Sequence, residues 1–212
     1  WHFLVATWLH VSSKQVIVGK SILRDWRTYV TLPLIAVIVA TTAWRLHIQQ
    51  LRKERFRRSV PLVDAANLER EVAQIIDESR AALLATPVSA RAWGEYANVL
   101  LAHEFSTDAA QCYVRAEELD GQEVRWPYLQ GLCMKVDDPE KALACFRRAA
   151  RLKADFIFPR LHLAEMLLGA GQVRDADFHL ARAAELDPRN PRVLLGLGRI
   201  AFLKGRLDEA LR

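Results

Sequence analysis

The sequence predicts an all-α chain in which a single transmembrane helix is followed by a solenoid of stacked helix-turn-helix repeats. Two observations carry this. Residues 28–44, "TYVTLPLIAVIVATTAW", hold no charged side chain. Further along, Ala109, Ala142, Ala176 and Ala210 recur at intervals of 33, 34 and 34 residues, each inside a segment of helical periodicity. The composition agrees: 51% of the 212 residues are hydrophobic and 26% charged, the balance of a chain that folds.

Charge is distributed unevenly. Residues 1–58 carry ten Lys or Arg against Asp25 and Glu54, which gives +8 and leaves −3 for the remaining 154 residues of a chain whose net charge is +5. The larger part therefore has no general attraction for nucleic acid, and no nucleic-acid partner is expected. The chain has no initiator Met, starts at Trp1 and stops abruptly at Arg212, which points to a fragment of a longer protein. The status of residues 1–27 in the mature protein stays open.

The uncharged run from Thr28, extended to Ile48, is the transmembrane helix. Its 17 core residues reach about 25 Å as a helix, close to the roughly 30 Å of a bilayer core. Trp26, Tyr29 and Trp44 flank it as an aromatic belt, and Pro33 lies in the first turns, where a missing amide hydrogen does least harm. A buried core helix would show a polar face, and only scattered Thr is present. Residues 49–61 then form a basic juxtamembrane linker with an attraction for anionic headgroups. Six Lys or Arg follow the span and four precede it, so the positive-inside rule leans toward a cytoplasmic location for the rest of the chain.

Residues 62–87 predict an amphipathic capping helix, with Leu68, Val72, Ile75, Ile76, Ala82 and Leu83 at helical spacing. Beyond it a register repeats. Trp93 is followed by Tyr96, Ala97 and Leu100, then by Ala109, Tyr113 and Ala116; Trp126 by Leu129, Ala142, Phe146 and Ala149. Arg160 is followed by Leu163, Ala164, Leu167, Ala176, Leu180 and Ala183, and Leu194 opens a fourth series with Leu197, Gly198, Ala201 and Ala210. This pattern resembles the tetratricopeptide repeat, in which small residues let two helices approach closely and large ones fill the space between them. The resemblance covers residues 90–122, 123–156 and 157–190 as full repeats and 191–212 as a partial one. It implies a right-handed superhelix. The second repeat departs from the pattern: it is one residue short near "MKVDDPEKA" and has Gln130, with Gly131 beside it, where a small residue belongs. Within the pattern Gly198 is a helix-contact residue, and Gly205 ends a first helix.

Little points to catalysis. "GLG" at 196–198 and "GAG" at 169–171 follow no strand and lead to no GK[ST], so they read as repeat positions and not as phosphate loops. His103 and Glu104 lack the second His of a zinc helix, and no cofactor or metal is expected. Cys112 and Cys145 occupy equivalent positions and read as small buried residues, while Trp93 and Trp126 read as packing. No nucleophile, base and orienting group converge, so the chain is not read as an enzyme.

What the resemblance implies is binding of a peptide or protein in a concave groove lined by first helices. By register that face offers Arg91, Asn98, Tyr128, Lys135, His162, Glu165, Arg192 and Arg199. The Lys, Asn and Arg clamp of chaperone-binding members is matched only by Asn98; Gly94, Tyr128, Phe158 and His162 stand at its other places. As a whole the chain resembles bacterial proteins with one N-terminal anchor and a tetratricopeptide domain, among them assembly factors of cytochrome c maturation. Those face the periplasm, against the charge rule, and the side of the membrane stays open. Two functional readings remain: a membrane-anchored interaction scaffold, or the anchor and adaptor region of a larger enzyme or electron-transfer protein. Self-association through an open repeat edge exposing Leu195, Ile200, Phe202 and Leu203 is a third expectation.

Overall fold

The structure is a computed structural model that describes residues 34–64 and 68–206. The N-terminal segment to residue 27, the first turns of the expected span, three residues of the cap and the end of the fourth repeat lie outside the described residues. Two compact units divide between Arg52 and Lys53.

In the first unit the described residues form one helix, α1, which spans Leu34–Arg58 and so continues into the second. Leu34, Val37, Val39 and Leu46 are all more than half exposed, so this stretch is not a core helix. Thr41 and Thr42 turn their hydroxyls back onto the carbonyls of Ile38 and Val39, which leaves no side-chain donor unsatisfied on an apolar surface.

The expected linker is a helix as far as Arg58, and its end belongs to the second unit's core. Phe56 and Val60 are buried, and the Phe56 ring meets Trp93 edge-on at 6.2 Å. Arg57 donates to the carbonyl of Leu84. The basic run conceals an apolar pair at i and i+4, and that pair decides the local structure.

The cap is shorter than expected. Helix α2 spans Arg70–Ala85, while residues 61–64 are non-helical and Pro61 uses its carbonyl to accept the Tyr96 hydroxyl. Only Ile76 and Leu83 are buried on α2; Ile75 is 47% exposed. Helix α3 is the element that α2 packs against most, so a narrow i, i+7 stripe suffices.

Seven helices follow: α3 Ala90–Ala102, α4 Ser106–Leu119, α5 Arg125–Met134, α6 Pro139–Leu152, α7 Ile157–Gly169, α8 Val173–Leu186 and α9 Pro191–Leu203. Each packs on its predecessor. Caps set the starts: Ser89 accepts from Ala92 N, Asp138 from Lys141 N ahead of Pro139, and Asn190 from Arg192 N ahead of Pro191. The turn between first and second helix uses a left-handed residue at one fixed register: Glu104 (φ 68°), Gly171 (φ 72°) and Gly205 (φ 72°). The second repeat, one residue short, has no such residue and a first helix of only 10 residues.

The small residues lie where helices touch. Ala97, Ala109, Ala116, Ala142, Ala164, Ala176 and Ala183 are at most 1% exposed. In the fourth repeat the close contact demonstrated is at Gly196, where a Cβ would come within 2.7 Å of the Leu180 methyls. The helix that would face Gly198 falls beyond residue 206. Ile200, expected on the open edge, is buried at 1%, whereas Leu195, Phe202 and Leu203 are exposed. Val193, Gly196 and Ile200 share the buried face, and α8 is the neighbour that α9 packs against most.

Candidate partner-binding groove

The first helices α3, α5, α7 and α9 carry all eight residues singled out by register, but the structure divides them into two groups. Lys135, His162, Glu165 and Arg192 converge from α5 and its C-cap, α7 and α9. Glu165 Oε2 receives Lys135 Nζ at 2.9 Å and Arg192 Nη2 at 3.5 Å. His162 Nδ1 lies 3.6 Å from the same oxygen, too far for a hydrogen bond. The two cations hold the Glu165 carboxyl below its ordinary range, the Lys135 hydrogen bond being the largest cause. Arg199 lies two turns further along α9 and makes no hydrogen bond or ion pair among the described residues.

Tyr128 joins this group through aromatic packing. Its ring meets Phe156 edge-on at 5.1 Å and His162 at 5.9 Å, while His162 stacks on Phe146 at 5.0 Å and 15°. Burial pushes the His162 imidazole down to about 4, and Arg192 and Lys135 add to the shift. At neutral pH it is an uncharged ring within the packing. Phe156 sits at the N-cap of α7, outside the register, and its part in this cluster carried no signal in the sequence.

The second group is Arg91 and Asn98. Arg91 pairs with Glu95 on an exposed turn. Asn98 Oδ1 accepts the Tyr113 hydroxyl at 2.7 Å, so that oxygen already has an internal partner. Both border a hollow formed with Gly94, Trp126 and Leu129, and Arg125 lies over the Trp126 ring at 5.1 Å. A Cβ on Gly94 would fall 2.3 Å from that ring. The packing explains why no chaperone clamp is present: a Lys at 94 would evict Trp126, and a cation at 162 would break the stack on Phe146.

The polar anomaly of the second repeat also has a place. Gln130, 7% exposed, accepts from Arg148, whose guanidinium also pairs with Glu117 at 3.0 Å. Gly131 beside it admits Phe146, whose ring would be 2.7 Å from an added Cβ. Cys112, Cys133 and Cys145 are free and buried, and burial raises all three thiols, Cys112 to about 12 and Cys133 to about 11. Trp93 and Trp126 are packing residues, as expected; the Trp93 indole donates to the Pro87 carbonyl.

Residues 167–212 match the tetratricopeptide-repeat family. That segment belongs to the tetratricopeptide repeats. No curated protein sequence matches it. Its fold is similar to that of MamA, with a TM-score of 0.62 at 18% identity over 71% of this chain and 91% of that one. It is also similar to YrrB, described as a tetratricopeptide protein with an unusual peptide-binding site, at 0.57 and 22% over 66% and 73%. A third likeness is to the Yersinia enterocolitica type III secretion chaperone SycD, solved with a peptide of the translocator YopD, at 0.50 and 22% over 53% and 92%. At these identities the likeness is one of fold. It fixes the architecture, and the eight side chains have to be read on their own.

Proposed function

We propose that this chain is a membrane-anchored interaction scaffold that holds a peptide or protein partner in the groove formed by α5, α7 and α9. The observation that carries the reading is the convergence of Lys135, Glu165 and Arg192, from three successive repeats, on one carboxylate oxygen. Polar side chains that meet across repeats, over an apolar floor, form a recognition surface. YrrB and SycD, which share the fold, are described with peptide sites, and that lends the reading support. The anchor part rests on α1, which is long and apolar enough to cross a membrane.

A photo-crosslinking residue placed at Leu195, which lines the groove and is exposed, and, separately, at Arg182 on α8 tests the groove in cells making the full chain. Crosslinks to a discrete partner from position 195 and none from 182 are expected. Equal products from both positions would remove the groove from the reading. Extraction of the membranes with alkaline carbonate tests the anchor, and release of the chain into the supernatant would remove it.

A further inference from the structure

Between α7, α8 and α9 lies a pocket of about 100 Å³ with two chemically distinct sides. Its floor is aliphatic: Leu161, Leu168 and Leu180, with the bare backbone of Gly196. Its rim is charged, with Glu165, Arg192 and Arg199. The volume suits one branched aliphatic side chain; a cavity of about 150 Å³ is what accommodates a benzene ring.

The rim is electrically unbalanced. Arg192 and Arg199 share the rim with one carboxylate, Glu165, which Lys135 also reaches, and Lys135, His162 and Arg192 all approach the same one of its oxygens. His162 adds no charge at neutral pH, since burial holds its imidazole down to about 4. Glu165 thus orients two of the cations without neutralising the group, and Arg199 has no partner at all among the described residues. Cations fixed in a concavity with an apolar wall act in a medium of reduced dielectric, so a carboxylate arriving there gains more than it would at an open surface.

We infer that the pocket is a subsite for an acidic peptide segment, one that seats a Leu-, Ile- or Val-sized side chain on the aliphatic floor and places a neighbouring Asp or Glu against Arg192 and Arg199. The inference rests on the groove reading above and deepens it, since it commits the occupant to a charge and a side-chain size. The carboxylate is that of a side chain and not of a chain terminus, because the clamp that would hold a terminus is displaced by Trp126 and the His162 stack.

The test is panning of a phage library of random 12-residue peptides against the full chain in lipid nanodiscs, in parallel with Arg199→Glu and with Arg192→Glu/Arg199→Glu. Arg199 is exposed and has no partner among the described residues, so its reversal is expected to leave the fold intact, which a thermal melt verifies. Clones enriched on the native chain are expected to carry net negative charge, with an aliphatic residue within three positions of an Asp or Glu. Their binding is expected to fall at least about tenfold on Arg199→Glu and to weaken as salt is raised. Neutral or basic clones that photo-crosslink to residue 195 or 199 would overturn the acidic occupant while leaving the groove reading in place. Clones that bind both variants as well as the native chain would do the same. Absence of any clone that crosslinks to first helices would sink both.

Discussion

The described repeats hold two cores that solve the same packing problem with different chemistry. The first, from Phe56 to Cys133, is aromatic, and its polar atoms point inward: Trp93 donates to Pro87, Tyr96 to Pro61 and Tyr113 to Asn98. The second, from Ala142 to Ile200, is mainly aliphatic, with Leu161, Leu163, Leu167 and Leu180 at its centre. It satisfies few polar groups itself and leaves Lys135, Glu165, Arg192 and Arg199 to meet on the surface above. One half spends its polar side chains on fixing its own geometry; the other presents them outward. If the proposed groove binds a partner, stability and recognition fall to different repeats.

The sharpest way to break this comparison is Trp93→Ala. Trp93 is fully buried, touches the end of α1 and anchors the turn before α3, so its loss costs about 3–5 kcal/mol. Because each repeat contacts mainly its neighbours, the damage is local. Hydrogen exchange is expected to show protection lost through α2–α4 while α7 and α8 keep theirs. Uniform loss across the chain would show that the two cores unfold as one.

Next in size is Gly94→Ala, set beside Gly196→Ala. Both glycines sit where an added Cβ would clash, but the neighbours differ. At 94 the obstacle is the rigid, buried Trp126 ring at 2.3 Å; at 196 it is the rotatable end of Leu180 at 2.7 Å. Gly94→Ala is expected to cost about 1–3 kcal/mol, and Gly196→Ala clearly less, since Leu180 can turn aside and Ala favours the helix. Urea midpoints of the two variants check the order.

These glycines also show how far the sequence could be read. The period, the helix pairing and the burial of Trp93, Trp126, Cys112 and Cys145 are legible because a spacing of 33 or 34 repeated several times leaves few alternatives; Cys133 lies outside that register and its burial was not. The register placed a fourth-repeat contact at Gly198, whose counterpart lies outside the described residues; it gave no sign of the contact at Gly196, where α9 meets α8 of the preceding repeat. The end of α1 was illegible for another reason. Phe56 and Val60 are two apolar residues in a basic run, and charge dominates any reading of that window. The register placed the candidate groove residues on or beside the first helices, but their pairing carried no signal: Lys135 and Glu165 stand 30 apart, Glu165 and Arg192 27 apart, and no local pattern links them.

The pH dependence of stability above about pH 5 bears mainly on the second core. His162 has a folded pKa of about 4, below its ordinary 6.5, with Lys135, Arg192 and Glu165 as the charged groups facing it. Between those values the unfolded chain takes up a proton that the folded chain refuses, so stability falls as the pH drops from about 6.5 toward 4. His179, also lowered by burial and by Arg160 and Arg147, acts in the same direction. Only part of the window is open at pH 5, so the loss there is smaller than the packing effects. His162→Phe, which keeps a ring on Phe146, should flatten the slope of urea midpoint against pH above about pH 5, where the lowered carboxyls of Glu123, Asp138 and Glu165 contribute little, and leave the share from His179 there. An unchanged slope would mean that His162 is not buried as a neutral ring.

The smallest effect lies in the turns. Glu104, Gly171 and Gly205 occupy one register and share a left-handed backbone, but only Glu104 carries a side chain there. A Cβ in that region costs roughly 1–2 kcal/mol, and the greater freedom of glycine in the unfolded chain takes back part of it. Glu104→Gly is therefore expected to stabilise the chain by about 0.5–1 kcal/mol, read as a rise in urea midpoint with no change in slope. Gly171→Glu, the reverse exchange in the third repeat, should destabilise by a similar amount, since Gly171 has open space around it and only the backbone differs. If both changes have the same sign, the side chain of Glu104 makes a contribution that outweighs its backbone, and the turns of the two cores are not equivalent.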